Sequence, residues 1–122
     1  MPDKQILVID DDPVIVKYLT SLFEDNGYKT VAAANGNEAL AALKRSKPDL
    51  ITLDLDMPEN YGTKFYRQIR KDEQFGDIPI IVISGVPRAE MSIKKAVAIV
   101  IKPFDREELL KLVRDTIGEA EA

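Results

Sequence analysis

The chain has 122 residues, 45% of them apolar and 31% charged, with a formal net charge of −4. That length fits one domain, which buries roughly two-thirds of its unfolded surface, and the acidic balance argues against a basic face for nucleic acid. There is no Cys and no His, which excludes disulfides, thiol or Ser-His-Asp nucleophiles and imidazole metal sites, and leaves carboxylates, lysine and hydroxyls.

In chain order, a short apolar run alternates with a helical pattern five times over, which predicts a parallel sheet with helices on both faces. The first strand is expected over Gln5–Asp10. Asp12 caps the next helix with Pro13 at its first position, where a missing N–H costs nothing. Ile15, Val16, Leu19, Leu22 and Phe23 form its inward stripe, and Gly27 is a left-handed stop. Tyr28–Ala33 reads as the second strand. Asn35-Gly36 turns into a helix with Ala39, Leu40 and Leu43 inward, ended by Pro48. The third strand is Asp49–Asp54. Gly62 opens a helix carrying Phe65 and Ile69. Ile78–Ile83 is the fourth strand, Pro87–Lys95 a short helix candidate and Val97–Ile101 the fifth strand. Asp105 and Glu108 form a capping box before a helix with Leu109, Leu112, Val113 and Ile117 inward, which Gly118 ends. No apolar run approaches the roughly 18 residues of a membrane span. The N-terminus lacks an apolar signal region. With the lack of cysteine, this fits a cytoplasmic protein.

Four of these strands end in a polar group. Ile6–Ile9 runs into Asp10-Asp11-Asp12, Leu50–Leu53 into Asp54, Ile78–Ile83 into Ser84, and Val97–Ile101 into Lys102-Pro103. Singly, each has an ordinary use: an acid before a helix is a cap, Asp54 is a turn residue, and Ser84 and Lys102 are strand ends. Jointly they meet at one edge of a parallel sheet, where open α/β folds place their ligands. Carboxylates crowded there repel one another unless a cation or a lysine neutralises them, so the cluster reads as a site for a divalent metal and a phosphoryl group.

The segments Ile6–Pro13 (ILVIDDDP), Pro48–Pro58 (PDLITLDLDMP) with Gly62, Ile78–Ser84 (IPIIVIS) and Lys102-Pro103-Phe104 resemble the receiver domain of two-component response regulators, over essentially the whole chain. The resemblance implies a single receiver domain over residues 1–122. Its fold is a doubly wound (βα)5, flavodoxin-like three-layer sandwich with strand order 2-1-3-4-5. Carried over by position, Asp54 is the phosphoacceptor, Asp11 a direct Mg2+ (or Mn2+) ligand and Asp10 a partner acting through water. Asp54 also belongs to the metal set, and Asp56 lends its backbone carbonyl to it. Ser84 hydrogen-bonds the phosphoryl group and Lys102 pairs with it. The Lys102–Pro103 bond is often cis in such domains. The implied partners are a sensor histidine kinase or a histidine phosphotransfer protein, and a downstream protein target. No nucleic acid and no membrane are implied for this domain, and a homodimer is compatible with it. Phosphorylation gives Ser84 a new acceptor and pulls its loop inward, which carries the signal. The only catalysis implied is the domain's own phosphorylation and slow autodephosphorylation.

Two features depart from the family pattern. Ile99 stands where a Tyr or Phe is usual, and reads as an ordinary buried strand residue. Ser84 and Lys102 are 18 positions apart (102 − 84), roughly one helical turn fewer than usual, so the fourth helix is expected to be short or irregular. Two other readings stay open. Asp54-Leu55-Asp56 resembles the Asp-x-Asp of haloacid-dehalogenase phosphatases, which would turn over p-nitrophenyl phosphate. The altered fourth segment also fits a pseudo-receiver that uses the fold for binding alone.

Overall fold

The computed structural model describes residues 4–58, 61–85 and 98–119. Strands β1 (Gln5–Ile9), β2 (Lys29–Ala33), β3 (Leu50–Asp54), β4 (Ile80–Ser84) and β5 (Ala98–Ile101) form one sheet in the order β2-β1-β3-β4-β5. Every neighbouring pair is parallel. Helices α1 (Pro13–Asp25), α2 (Gly36–Arg45), α3 (Tyr61–Arg70) and α4 (Arg106–Ile117) complete the described elements. The doubly wound architecture and the strand order are those the sequence implied.

The near-continuous apolar strands arise because both sheet faces are covered. Side chains alternate across the pleat, so one strand feeds two cores. Leu7, Ile9, Ile51, Leu53, Ile80 and Val82 pack with Ala39, Ala42 and Leu43 of α2 and Phe65, Tyr66 and Ile69 of α3. Ile6, Val8, Leu50, Ile81 and Ile83 pack on the other face with Leu19 and Phe23 of α1 and Leu109, Leu110 and Val113 of α4. Each fully buried Leu, Ile or Phe here stabilises the fold by about 1.5–3 kcal/mol. Ile99 is half-buried against the α2–α3 side, as a plain strand residue.

Capping fixes where the helices start. Asp12 accepts from the Val14 amide at 2.9 Å, with Pro13 at the first helical position. Asn35 accepts from the Glu38 amide at 2.9 Å and Asp105 from the Glu107 amide at 2.8 Å. Gly27 and Gly118 follow α1 and α4 with φ of 91° and 83°, a region closed to most side chains. β4 begins at Ile80, two residues later than the apolar run suggests. Pro79 has no N–H to give to the ladder, although its carbonyl accepts from the Ile51 amide at 3.0 Å, and the Ile78 amide turns back to Phe75 at 3.2 Å. The expected short helix over Pro87–Lys95, and with it the short or irregular fourth helix, lies outside the described residues. Among the described residues, no helix is long and apolar enough to cross a membrane.

Candidate functional site

Parallel registry brings the polar strand ends together. Ile9 pairs with Leu53, Asp54 with Ile83, and Ser84 with Ile101. The ladder continues past the strands: the Asp10 amide donates to Ala33 at 3.1 Å, the Leu55 amide to Ile83 at 3.1 Å and the Lys102 amide to Ser84 at 2.9 Å. Main-chain bonds therefore fix where Asp10, Asp54, Ser84 and Lys102 leave the sheet. The Lys102–Pro103 peptide is cis, as in the pattern the chain resembles.

Asp10, Asp54 and Ser84 are buried polar residues, at 2%, 3% and 0% exposure. Asp10, Asp11 and Asp54 each offer a carboxylate oxygen, and these atoms lie within 4.8 Å of one another. Asp10 Oδ1 accepts from the Asp12 amide at 2.9 Å, whereas Asp10 Oδ2 is buried with no hydrogen-bond partner among the described residues. Burial pushes the Asp10 carboxyl up to about 7; the Asp12 amide opposes this, and the Asp54 charge adds to it. An orphaned buried carboxylate oxygen among two further carboxylates fits a hard, oxygen-binding divalent cation.

Lys102 supplies a cation at the site. Its Nζ stands 3.2 Å from Asp54 Oδ1 and 3.4 Å from Asp56 Oδ2. Burial alone would lower its pKa, but Asp54, then Asp10 and Asp56, outweigh that and hold the ammonium above its ordinary range. Asp54 Oδ1 also accepts from the Asp56 amide at 2.9 Å, which curls the chain around the end of β3.

Asp56 does more than sequence reasoning assigned to it. Its side chain accepts from the Ser84 hydroxyl at 2.9 Å and from the Gly85 amide at 2.7 Å. Burial raises this carboxyl's pKa, but the Gly85 amide, the Ser84 hydroxyl and Lys102 together hold it below the ordinary carboxylate value. The only hint in the sequence was the Asp-x-Asp spacing. Gly85 was not singled out at all.

Gly62 is the second residue of α3 rather than its opening, and it lies against the site's main chain. A Cβ there would stand 2.5 Å from the Asp54 carbonyl oxygen and 3.0 Å from Leu55 Cα. Both are backbone atoms that cannot swing aside. Gly62→Ala is expected to destabilise the fold by about 1–3 kcal/mol, read as a lower denaturation midpoint at unchanged m-value. An unchanged midpoint would show that α3 can move off β3 at little cost.

Residues 6–114 match the family model described as the response regulator receiver domain. Among curated proteins, the chain is 38% identical to Protein Rrf1 of Nitratidesulfovibrio vulgaris over 109 residues, 89% of this chain and 79% of that protein. It is 31% identical to Protein PilH of Pseudomonas aeruginosa, over 93% of this chain and 98% of that one. Among solved structures, the chemotaxis protein CheY4 of Vibrio cholerae superposes with a TM-score of 0.86 at 29% identity, covering 94% of this chain and 99% of that one. The response regulator TrrA of Thermotoga maritima, solved in complex with Mg(2+)-BeF, superposes with a TM-score of 0.82 at 34% identity, covering 93% and 98%.

Proposed function

The chain belongs to the response regulator receiver domain family, and on that footing we propose that it is the phosphoacceptor of a two-component relay, with Asp54 as the residue phosphorylated. The observation that carries this is the buried Asp54 carboxylate, which has an oxygen within 4.8 Å of carboxylate oxygens of Asp10 and Asp11 and another contact, at 3.2 Å, with the Lys102 ammonium. Phosphoryl transfer asks for positioning and charge neutralisation more than for covalent help. An Asp54 oxygen attacks phosphorus in line, the P–N bond of a phosphohistidine breaks, and the leaving imidazole takes a proton. Lys102 meets the negative charge that develops on the transferred group. Mg2+ or Mn2+, held by Asp10, Asp11 and Asp54 with the Asp56 carbonyl, would neutralise the carboxylates and the phosphoryl oxygens when bound.

The donor in this reading is a sensor histidine kinase or a histidine phosphotransfer protein, and the product is read by a downstream protein target in the cytoplasm. In this reading the domain catalyses only its own phosphorylation and slow autodephosphorylation. A haloacid-dehalogenase-like reading needs the second acid of Asp54-Leu55-Asp56 as a proton donor. Asp56 is instead held ionised by Gly85, Ser84 and Lys102, which suits it poorly to that task.

Incubation with acetyl phosphate and Mg2+ is expected to add a single phosphoryl group, seen by intact mass. EDTA is expected to prevent it. A folded, Mg2+-binding protein that gains no adduct would favour a module used for binding alone.

A further inference from the structure

We propose that the Asp56 side chain is an internal occupant of the phosphoryl-binding donors, and that it must leave them before Asp54 can be phosphorylated. This rests on the receiver reading above and deepens it, since it names a brake built into the same site. Asp56 Oδ1 takes the Ser84 hydroxyl at 2.9 Å, while Oδ2 takes the Gly85 amide at 2.7 Å and lies 3.4 Å from Lys102 Nζ. These three groups gather on the Asp56 carboxylate at the ends of β4 and β5; Asp54 pairs with Ile83, the residue before Ser84, and Lys102 Nζ is 3.2 Å from Asp54 Oδ1. A phosphoryl group on Asp54 would present them with the same kind of acceptor, an anionic oxygen. A hydroxyl and a backbone amide each have one proton to give. Each therefore serves the carboxylate or the phosphoryl oxygen, not both.

The local chain is shaped for this occupancy. The bond from the Asp56 amide to Asp54 Oδ1 holds the loop in a tight turn. At the far side, Gly85 lets the carboxylate come close, because a Cβ there would stand 3.3 Å from Asp56 Oδ2. A lone surface ion pair would contribute little. Two charge-assisted hydrogen bonds and a partly buried ammonium on one carboxylate make a defined closed state. The domain thus holds Ser84 and Lys102 on an internal anion while unphosphorylated and hands them over when the phosphoryl group arrives. Asp56 acts here as a positioning residue, through donors that the phosphoryl group would use.

The experiment is the initial rate of phosphorylation by acetyl phosphate at saturating Mg2+, by intact mass, for wild type, Asp56→Ala and the isosteric Asp56→Asn. Circular dichroism confirms folding of each. Emptying the donors is expected to raise the rate on the order of tenfold in Asp56→Ala, since a binding-competent state that is fractionally populated becomes the resting one. Asp56→Asn keeps one acceptor oxygen and should fall between. The gain should survive high salt, and the Gly85 amide proton should move upfield in both variants. An Asp56→Ala rate at or below wild type overturns the proposal. So does a gain that vanishes at about 1 M salt, where charges act over only about 3 Å, because that is long-range repulsion of the anionic donor and not occupancy. Absence of any adduct on all three proteins, wild type included, overturns the receiver reading and this proposal with it.

Discussion

Asp54→Asn is expected to remove the phosphoryl adduct altogether, a loss of at least about a hundredfold in labelling rate, as for deletion of an essential nucleophile. The amide is neutral and a poor nucleophile, and it offers Lys102 no charge to pair with. The fold should survive. Asn is the same shape as Asp and its oxygen can still accept the Asp56 amide, which now bonds Asp54 Oδ1 at 2.9 Å. The apolar residues that hold β3, Leu50, Ile51 and Leu53, are untouched and almost wholly buried. Removing one of two buried like charges also relieves Asp10, while Lys102 keeps Asp56 as a partner. The melting temperature at pH 8 should therefore be equal to or above that of wild type. Peptide mapping supplies the sharper check: phosphate found on Asp10, Asp11 or Asp56 in the variant would break the assignment.

The legibility of this site came from one rule of geometry. In a parallel sheet, every residue that follows a strand emerges at the same edge, so Asp10, Asp54, Ser84 and Lys102 could be placed together although they span 92 positions (102 − 10). The strands were visible because Ile6–Ile9 and Ile80–Ile83 are apolar at every position, the mark of burial on two faces. The helix starts were visible in Asp12, Asn35 and Asp105, whose side chains do cap. The side-chain role of Asp56 was not visible. It depends on a turn closed by its own amide and on a partner, Gly85, 29 residues away in another strand's loop, and no periodicity records either. Gly62 was read as opening the helix that carries Phe65 and Ile69, from its place in the chain alone. Its close approach to Asp54 is a tertiary fact, set by how α3 packs on β3. Tyr66 and Leu110 joined the buried faces of α3 and α4 beside the expected residues, since a core-facing stripe is wider than the minimal one.

Without metal, the domain is expected to lose stability as pH rises from 5 to 8, and Mg2+ is expected to cancel that loss. The sign follows from Asp10. Its carboxyl is raised from an ordinary 3.8 to about 7 in the fold. Between those values the native state binds a proton that the unfolded chain has released, so stability falls with increasing pH. Other shifted groups act outside this window. The lowered Asp56 contributes stability that is present above 3.8 and lost as pH falls below it. The raised Lys102 contributes stability that is present below 10.5 and lost only as pH rises past it. The chain has no His to titrate in between. A divalent cation competes with the Asp10 proton, so Mg2+ affinity should rise as pH passes through about 7. At a hundred times its dissociation constant, the ion stabilises the fold by about 2.7 kcal/mol. Asp10→Asn should flatten the metal-free pH profile, raise the metal-free melting temperature at pH 8, and shrink the Mg2+ shift. Thermal melts at pH 5, 6, 7 and 8, with and without Mg2+, read all of these. A metal-free melting temperature that is level or rising across that range would mean that Asp10 is already ionised at pH 5, and would remove the electrostatic reason for the site to want a cation.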